Sequence, residues 1–215
     1  MNVAVCVPYR PADEQRERNW RYVRDWWDGW DVHTGDSGTE AFSCGSSRNR
    51  AAEAAGDWDV AIFTDADVVL GDHAQAEAAV ELAAKTGSFV VAYSVLHYLS
   101  PIQTRHVIED GLPLASSSPT RSVGLTWINT FAIRRDLWDE VGGYDERFVG
   151  YGMEDIAFYH AAGTLGGAAR NPGPLYHLDH PGRPEDTNPA NWGLNNLYGY
   201  ASGDVEAMRK VLAER

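Results

Sequence analysis

The sequence predicts an α/β fold in which helices flank a mixed sheet. Two observations lead to it: β-branched apolar runs alternate with helical patterns through the first half of the chain, and an acidic pair directly follows the second apolar run. Such alternation is typical of a sheet covered by helices. With 215 residues, 44% of them hydrophobic, the chain suits one globular domain over residues 1–215.

The first strand and helix are predicted from periodicity. Residues 2–7 are rich in β-branched residues and end at Pro8, which cannot donate a ladder hydrogen bond, so we expect an interior strand. In residues 12–30 tryptophans recur at helical spacing, and charged residues take the other face. This pattern indicates an amphipathic helix that packs on the sheet.

The next elements continue the alternation. Residues 48–55 are alanine-rich and predict a helix, and residues 59–64 predict a buried strand. Asp72 can cap a helix that reaches Lys85. Residues 88–95 predict a further strand because their apolar character is continuous.

The second half of the chain is patterned less clearly. Residues 100–123 mix Pro, Ser and Gly with scattered charges, so we expect an irregular loop, a candidate lid over a site. The other expectations are a strand over residues 126–133, helices over 134–140, 154–162 and 204–214, and a loop over 170–192.

Composition restricts the class of protein. The formal net charge of −13 comes from acidic residues spread along the chain, which argues against broad contact with a nucleic-acid backbone. Cys6 and Cys44 have no CxxC neighbour, as expected of ordinary thiols in a reducing compartment. The apolar start is too short for a signal peptide or a membrane span. We therefore expect a cytoplasmic protein.

Two acidic residues, Asp65 and Asp67, directly follow the strand predicted over residues 59–64. Open α/β sheets bind ligands beyond the carboxyl ends of their strands, and carboxylate oxygens suit Mg²⁺ or Mn²⁺ that bridges a diphosphate. A D-x-D taken alone is equally well explained by loop solvation or helix capping. Its position after an apolar strand favours the metal interpretation.

Two histidines, His177 and His180, lie in a loop flanked by Pro and Gly, with a carboxylate between them. Imidazole beside carboxylate suits Mn²⁺ or a similar ion. A lone histidine is more often structural, and for this pair contact with metal or phosphate and a structural role stay equally open.

A second acidic pair, Glu154 and Asp155, follows a glycine-punctuated turn at the start of a predicted helix. The helix dipole favours anions there, so capping alone could explain the pair. A carboxylate on such a turn can also act as a general base, with Phe148 and Tyr151 as an apolar wall.

Arg10 and Arg48 lie near element ends, where they could hold a diphosphate or be ordinary surface arginines.

Four ordered motifs together resemble the metal-dependent GT-A fold glycosyltransferases, nearest the β-1,4-galactosyltransferases and the catalytic domains of polypeptide N-acetylgalactosaminyltransferases. They read VCVPYR, SSRNRAAEAAGDWDVAIFTDADVVL, GGYDERFVGYGMEDIAF and HLDHPGRPEDTNP, and they span most of the chain. The resemblance implies a nucleotide-diphospho-sugar transferase fold with a single Rossmann-like mixed sheet. Residues 1–100 would bind the nucleotide sugar and metal, and residues 101–215 the acceptor, with the late metal ligand.

The resemblance also implies roles for individual residues. Asp67 would ligate Mn²⁺ or Mg²⁺ directly, with His180 as the late ligand and His177 as a candidate second one. Asp65 would contact the ribose or the water shell of the metal, and Asp155 would be the general base, with Glu154 holding the acceptor. The nucleotide-sugar pocket would be formed by Pro8, Arg10, Asp36, Arg48 and Tyr151.

Two departures from the family pattern limit what carries over. Tyr151 stands where galactosyltransferases carry tryptophan, and Met153 stands where they carry glycine, so sugar and acceptor preferences are not transferred. The membrane anchor and stem of those enzymes are missing, which suggests a bacterial or phage-type enzyme.

The expected activity is transfer of a sugar, with inversion, from a nucleotide-diphosphate sugar, chiefly a UDP-sugar, to a carbohydrate or other hydroxyl-bearing acceptor. One alternative is a non-catalytic module that binds nucleotide sugars. A second is a modified DNA base as the acceptor, for which Arg121, Arg134 and Arg135 would supply a basic patch. A nucleotidyltransferase is disfavoured because VPYRPADEQRER lacks a glycine-rich loop.

Overall fold

A computed structural model describes residues 1–124, 128–182 and 188–215. Its strands are β1 (Val3–Pro8), β2 (Asp31–Gly35), β3 (Val60–Thr64), β4 (Val68–Leu70), β5 (Phe89–Val91), β6 (Val95–Tyr98), β7 (Arg121–Gly124), β8 (Thr130–Arg134), β9 (Ala168–Arg170) and β10 (Pro174–His177). Its helices are α1 (Glu14–Trp26), α2 (Cys44–Ala54), α3 (His73–Thr86), α4 (Pro101–Glu109), α5 (Arg135–Val141), α6 (Glu154–Gly166), α7 (Pro189–Ala201) and α8 (Val205–Ala213). Across these residues no helix is both long and apolar enough to cross a bilayer.

The strands form a six-stranded mixed sheet in the order β2-β1-β3-β8-β5-β9 and a four-stranded sheet in the order β4-β10-β6-β7. In the large sheet β1 runs parallel to both β2 and β3, whereas β8 is antiparallel to β3 and β5. The predicted mixed α/β sheet flanked by helices is confirmed. The second, smaller sheet was not predicted.

The core lies against the central strands of the large sheet. All five residues of β3 are buried, as the continuous apolar run predicts for a strand covered on both faces. Phe63 of β3 stacks on Phe131 of β8 at 5.1 Å between ring centroids and on Trp138 of α5 at 4.5 Å. These aromatic stacks join the sheet to its helical cover.

The predicted strands and helices of the first half are present with shifted ends. The helix predicted over residues 12–30 is α1, which begins after the Asp13 cap and ends at Trp26. The helix predicted over 48–55 begins four residues earlier, because the Ser43 side chain caps α2 by accepting from the Ser46 N–H. The predicted cap of α3 at Asp72 is confirmed, and Gly87 ends that helix in the left-handed conformation.

Three predicted segments are wrong. The strand predicted over residues 88–95 is two strands, β5 and β6, which belong to different sheets. Residues 100–123 are not an irregular loop, because they contain α4, a short 3₁₀ turn (Leu114–Ser116) and β7. The loop predicted over 170–192 contains β10 and the start of α7.

Four other predicted elements, one strand and three helices, are met in part. The strand predicted over residues 126–133 corresponds to β8, which begins at Thr130, and residues 126 and 127 lie outside the described part of the chain. The helices predicted over 134–140, 154–162 and 204–214 correspond to α5, α6 and α8. Asp204 caps α8 by accepting from the Ala207 N–H.

Candidate functional site

Asp67, His177 and His180 come together because β10 of the small sheet pairs antiparallel with β4, which places His177 opposite Val68. The Leu178 N–H donates to the Asp67 carbonyl at 2.8 Å and fixes the two segments at this point. The Nε2 atom of His180 lies 3.0 Å from one Asp67 carboxylate oxygen, and that of His177 lies 3.9 Å from the other. One ligand atom from each residue fits within 4.8 Å of the others.

The three residues also interact electrostatically. Burial acts to raise the pKa of Asp67, but the neighbouring His177 and the hydrogen bond from His180 outweigh it and hold that pKa far below its usual range. Burial acts to lower the pKa of His180, and the hydrogen bond to Asp67 reverses the direction and raises it. One carboxylate and two imidazoles form a donor set that fits Mn²⁺ or a similar borderline ion.

Asp65, the other acid of the D-x-D, is held by protein groups on both carboxylate oxygens. Arg48 donates to Oδ1 at 2.6 Å, and the Asn129 side chain donates to Oδ2 at 3.0 Å. The Asp65 N–H also donates to the Asn129 carbonyl at 3.2 Å. Asn129 comes just before β8 and was not predicted as a site residue. No signal in the sequence indicated it, because the strand predicted over residues 126–133 places Asn129 in its middle, whereas β8 begins at Thr130.

Arg48 is only 2% exposed, so it lies beneath Asp65 and not on an open pocket wall. Its guanidinium stacks over the Tyr144 ring at 5.1 Å. Its charge also acts to lower the pKa of both Glu154 and Asp155, against the effect of burial. Arg48 therefore pairs with Asp65 of the D-x-D and also acts electrostatically on the acidic pair of α6.

The acidic pair of α6 is strongly affected by burial. Burial first, and then the neighbouring Asp155, raises the pKa of Glu154 to about 7, against the opposing charge of Arg48. The Glu154 Oε2 atom is buried and has no hydrogen-bond partner among the described residues. Burial also raises the pKa of Asp155, whose Oδ1 accepts from the Ile156 N–H at 2.9 Å.

The turn before α6 is held in an uncommon backbone conformation. Met153 has a φ of 75° and is the one non-glycine residue at positive φ in the described part of the chain. Asn191 of α7 stabilises this turn by donating to the Gly152 carbonyl at 2.9 Å, and it was not predicted as a site residue. Tyr151 in the same turn is 48% exposed.

Arg10 and Asp36 form a forked ion pair at neighbouring strand ends, since β1 and β2 are parallel and Pro8 lies opposite Gly35. The Arg10 Nε atom donates to the two Asp36 oxygens at 3.0 and 2.9 Å, and the guanidinium lies 5.3 Å from the centroid of the Phe42 ring. The hydrogen bond from Arg10 lowers the pKa of Asp36. These two predicted pocket residues therefore lie together.

The three arginines considered as a basic patch are arranged differently. Arg134 pairs with Asp136, and Arg135 pairs with Asp139 at 2.9 Å. Arg121 lies on β7 of the small sheet. Carboxylates thus compensate two of the three charges.

A mixed α/β fold with acids and histidines beside the ends of β3 and β10 is typical of the α/β proteins that bind ligands beyond their strand ends. Residues 31–164 match the glycosyltransferase like family 2, and the chain belongs to that family. The predicted glycosyltransferase activity class is therefore confirmed. No curated protein sequence matches the chain.

Solved structures share the fold at low sequence identity. The catalytic domain of Drosophila β-1,4-galactosyltransferase 7, in complex with xylobiose, is 16% identical, with a TM-score of 0.52 over 91% of this chain and 79% of that one. Glucosyl-3-phosphoglycerate synthase from Mycobacterium tuberculosis, in complex with Mn²⁺, UDP-glucose and phosphoglyceric acid, is 14% identical, with a TM-score of 0.51 over 95% of this chain and 80% of that one. These similarities confirm the GT-A fold.

Proposed function

We propose that this protein transfers a sugar from a nucleotide-diphosphate sugar, chiefly a UDP-sugar, to an acceptor hydroxyl with inversion at the anomeric carbon. One observation carries the proposal: Asp67 gathers two histidines, while Asp65, two residues earlier, is joined through Arg48 to the acidic pair of α6. A candidate cation-binding cluster and a buried general-base candidate are therefore both linked to one D-x-D.

The metal and donor are supported by the donor set and by the fold relatives. Asp67, His180 and His177 are the residues that would hold Mn²⁺, or Mg²⁺, and a bound ion supplies positive charge against the departing diphosphate. The Mycobacterium tuberculosis relative was solved with Mn²⁺ and UDP-glucose. Residues 1–100 would carry most of the donor site, where Arg10 and Asp36 lie close to Pro8 at the ends of β1 and β2.

The two acids at the start of α6 carry out the proton transfer and orient the acceptor. Asp155 accepts the proton of the acceptor hydroxyl while that oxygen bonds to the anomeric carbon and the bond to the diphosphate breaks on the opposite face. Burial raises the pKa of Asp155 and so strengthens it as a base, while the charge of Arg48 opposes that rise. Glu154, beside it, orients the acceptor, and the exposed Tyr151 ring offers it an apolar face. The acceptor site would thus lie in residues 101–215.

The first test is a donor screen. UDP-, GDP- and TDP-sugars are incubated with the protein and Mn²⁺, nucleotide release is measured, and the active donor is then offered to carbohydrate acceptors and to DNA with modified bases. We expect release only from one nucleotide class, and its loss in chelator. Donor binding without release or transfer for any acceptor would favour the non-catalytic binding module.

The second test is Asp155→Asn. An amide preserves the shape of the side chain but cannot accept the hydroxyl proton, so we expect kcat to fall on the order of 10²–10⁴-fold with donor affinity nearly unchanged. Transfer kinetics are measured beside titration calorimetry of the donor. Near-normal kcat would make Asp155 a structural residue at the start of α6 and would leave Glu154 as the candidate base.

A further inference from the structure

The loop that carries both histidines is held from one side by α1. The Gln15 and Asn19 side-chain amides both donate to the Asp179 carbonyl, at 2.8 and 2.9 Å. Arg16 of the same helix donates to the Pro181 carbonyl at 2.9 Å. Positions 15, 16 and 19 share one face of a helix, so α1 holds the main chain on both sides of His180.

A second helix holds the same loop from the other side. Thr104 of α4 is fully buried, and its hydroxyl accepts from the Asp179 N–H at 2.8 Å. The peptide groups at Asp179 are therefore fixed by Asn19 and Gln15 on one side and by Thr104 on the other. Neither helix contributes a candidate metal ligand among the described residues.

The hydrogen bonds also determine which nitrogen of His180 faces the metal site. A carbonyl oxygen can only accept, so the Nδ1 atom of His180, 2.9 Å from the Pro181 carbonyl, carries a hydrogen and donates it. The Nε2 atom is then directed at Asp67, 3.0 Å away. Arg16 of α1 donates to the same Pro181 carbonyl that accepts from His180. Helix α1 therefore also helps to orient the imidazole ring.

The buried side chain of Asn19 lowers the stability of the fold. It is 0% exposed, and its Oδ1 atom has no hydrogen-bond partner among the described residues. A buried amide with one half unsatisfied costs free energy that an apolar side chain of similar size would not. It stands beside Trp20 and near Val23 on the buried face of α1, so packing alone would favour an apolar residue there.

We propose that Asn19, with Thr104, is a positioning residue of the metal site: the two hold the Asp179 peptide so that His177 and His180 face Asp67 before the metal binds. This inference rests on the proposed function, since it assumes that the three side chains ligate a divalent ion. The buried, half-satisfied Asn19 amide thus serves to orient the loop, at a cost in stability. Groups that orient metal ligands are commonly needed for full metal affinity.

The test measures Mn²⁺ affinity directly. Free Mn²⁺ is followed by electron paramagnetic resonance while the full chain is titrated with the metal alone, for the wild type, Asn19→Leu and Thr104→Val. We expect each variant to lose about tenfold in Mn²⁺ affinity. We also expect the Tm of Asn19→Leu to stay within a few degrees of the wild type, because leucine fills the site without an unpaired amide oxygen.

Asn171→Leu is the matched control. Asn171 is also buried, and its amide donates to the Gln75 carbonyl at 3.0 Å instead of to the Asp179 peptide. The Asn171→Leu variant should be less stable than the wild type and should keep the Mn²⁺ affinity of the wild type. The proposal is overturned if Asn19→Leu and Thr104→Val bind Mn²⁺ like the wild type, or if Asn171→Leu loses affinity equally.

The same titration separates this inference from the proposed function. If the wild type binds Mn²⁺ and Asn19→Leu binds it less tightly, the positioning role holds even should no sugar be transferred. If the wild type transfers sugar and Asn19→Leu keeps full Mn²⁺ affinity, the function stands and the positioning role fails. Wild-type protein that does not bind Mn²⁺ contradicts both.

Discussion

At the scale of single residues, the two histidines differ in how closely they approach Asp67. His180 lies 3.0 Å from the carboxylate and His177 lies 3.9 Å from it. We expect His180→Ala to weaken Mn²⁺ and donor binding more than His177→Ala, with metal affinity affected before fold stability. The activity of both variants is titrated with manganese, and Tm is measured beside it. A greater loss for His177→Ala would reverse the assignment.

Glu154 predicts a dependence of stability on pH. Its pKa is raised from 4.5 to about 7, so its contribution is fully present below about pH 4.5 and is lost as the pH rises through about 7. The glutamine side chain in Glu154→Gln is neutral at every pH, so the variant should lack this contribution to the pH dependence of stability. Between pH 4.5 and 8 we expect the free energy of unfolding of the wild type to fall relative to the variant by at most about 3 kcal/mol.

Urea unfolding of both proteins at several pH values provides the measurement for Glu154. The comparison of wild type with variant removes the contributions of the other carboxylates, which are common to both proteins. Parallel stability profiles would mean that Glu154 is ionised in the folded protein at pH 4.5 to 7.

At this scale the sequence predicted the participants better than their contacts. The D-x-D and the histidine pair were identified from their residue types and from the resemblance, and the structure places Asp67 with both histidines. The burial of Arg48 beneath Asp65 could not be predicted, because an arginine beside an alanine-rich run has the pattern of a surface residue. Only the packing of α2 on the sheet encloses it.

At the scale of elements, β2 and α2 approach each other closely at Gly35. A Cβ atom there would lie 2.1 Å from the Ser47 carbonyl oxygen and 2.3 Å from the Ala51 nitrogen. Both neighbours are backbone atoms, so no flexible side chain can move away. We expect Gly35→Ala to lower the free energy of unfolding by about 3 kcal/mol, measured by chemical denaturation.

Gly193 in α7 is the control for this substitution. A Cβ added there meets no atom within 4 Å. Alanine favours a helix interior over glycine, so Gly193→Ala should raise stability by up to about 1 kcal/mol. If both variants changed stability equally, the close approach of β2 and α2 would not be the cause.

The elements missed from the sequence fall into two kinds. Helix α4 carries a local signal: Ser100 and Gln103 form a capping box around Pro101 at the first helical position. That signal was outweighed by the Pro, Ser and Gly content of the segment. Strands β4 and β10, with three and four residues, carry no comparable signal. Their pairing depends on partners distant in the chain, which local periodicity does not report.

At the scale of the whole molecule, the two candidate sites draw on distant parts of the chain. The large sheet positions Asp65 at the end of β3, and the small sheet brings β10 against β4 to complete the histidine cluster. The sequence predicted one sheet, because its strongest strands all belong to the large one. The alternation of strands and helices therefore predicted the fold class, while the short strands of the small sheet determine how Asp67 and the two histidines are brought together.

The position of β10 between β4 and β6 has a consequence for protein synthesis. A ribosome adding about 5–20 residues per second needs on the order of 10 s to go from Asp67 to His180. During that time β4 and β6 emerge without the strand that joins them, and their unpaired edges are available to other chains. The nascent chain then carries Asp67 but neither of the histidines proposed as ligands, so a divalent ion bound by all three could help complete this fold only after β10 has left the ribosomal exit tunnel.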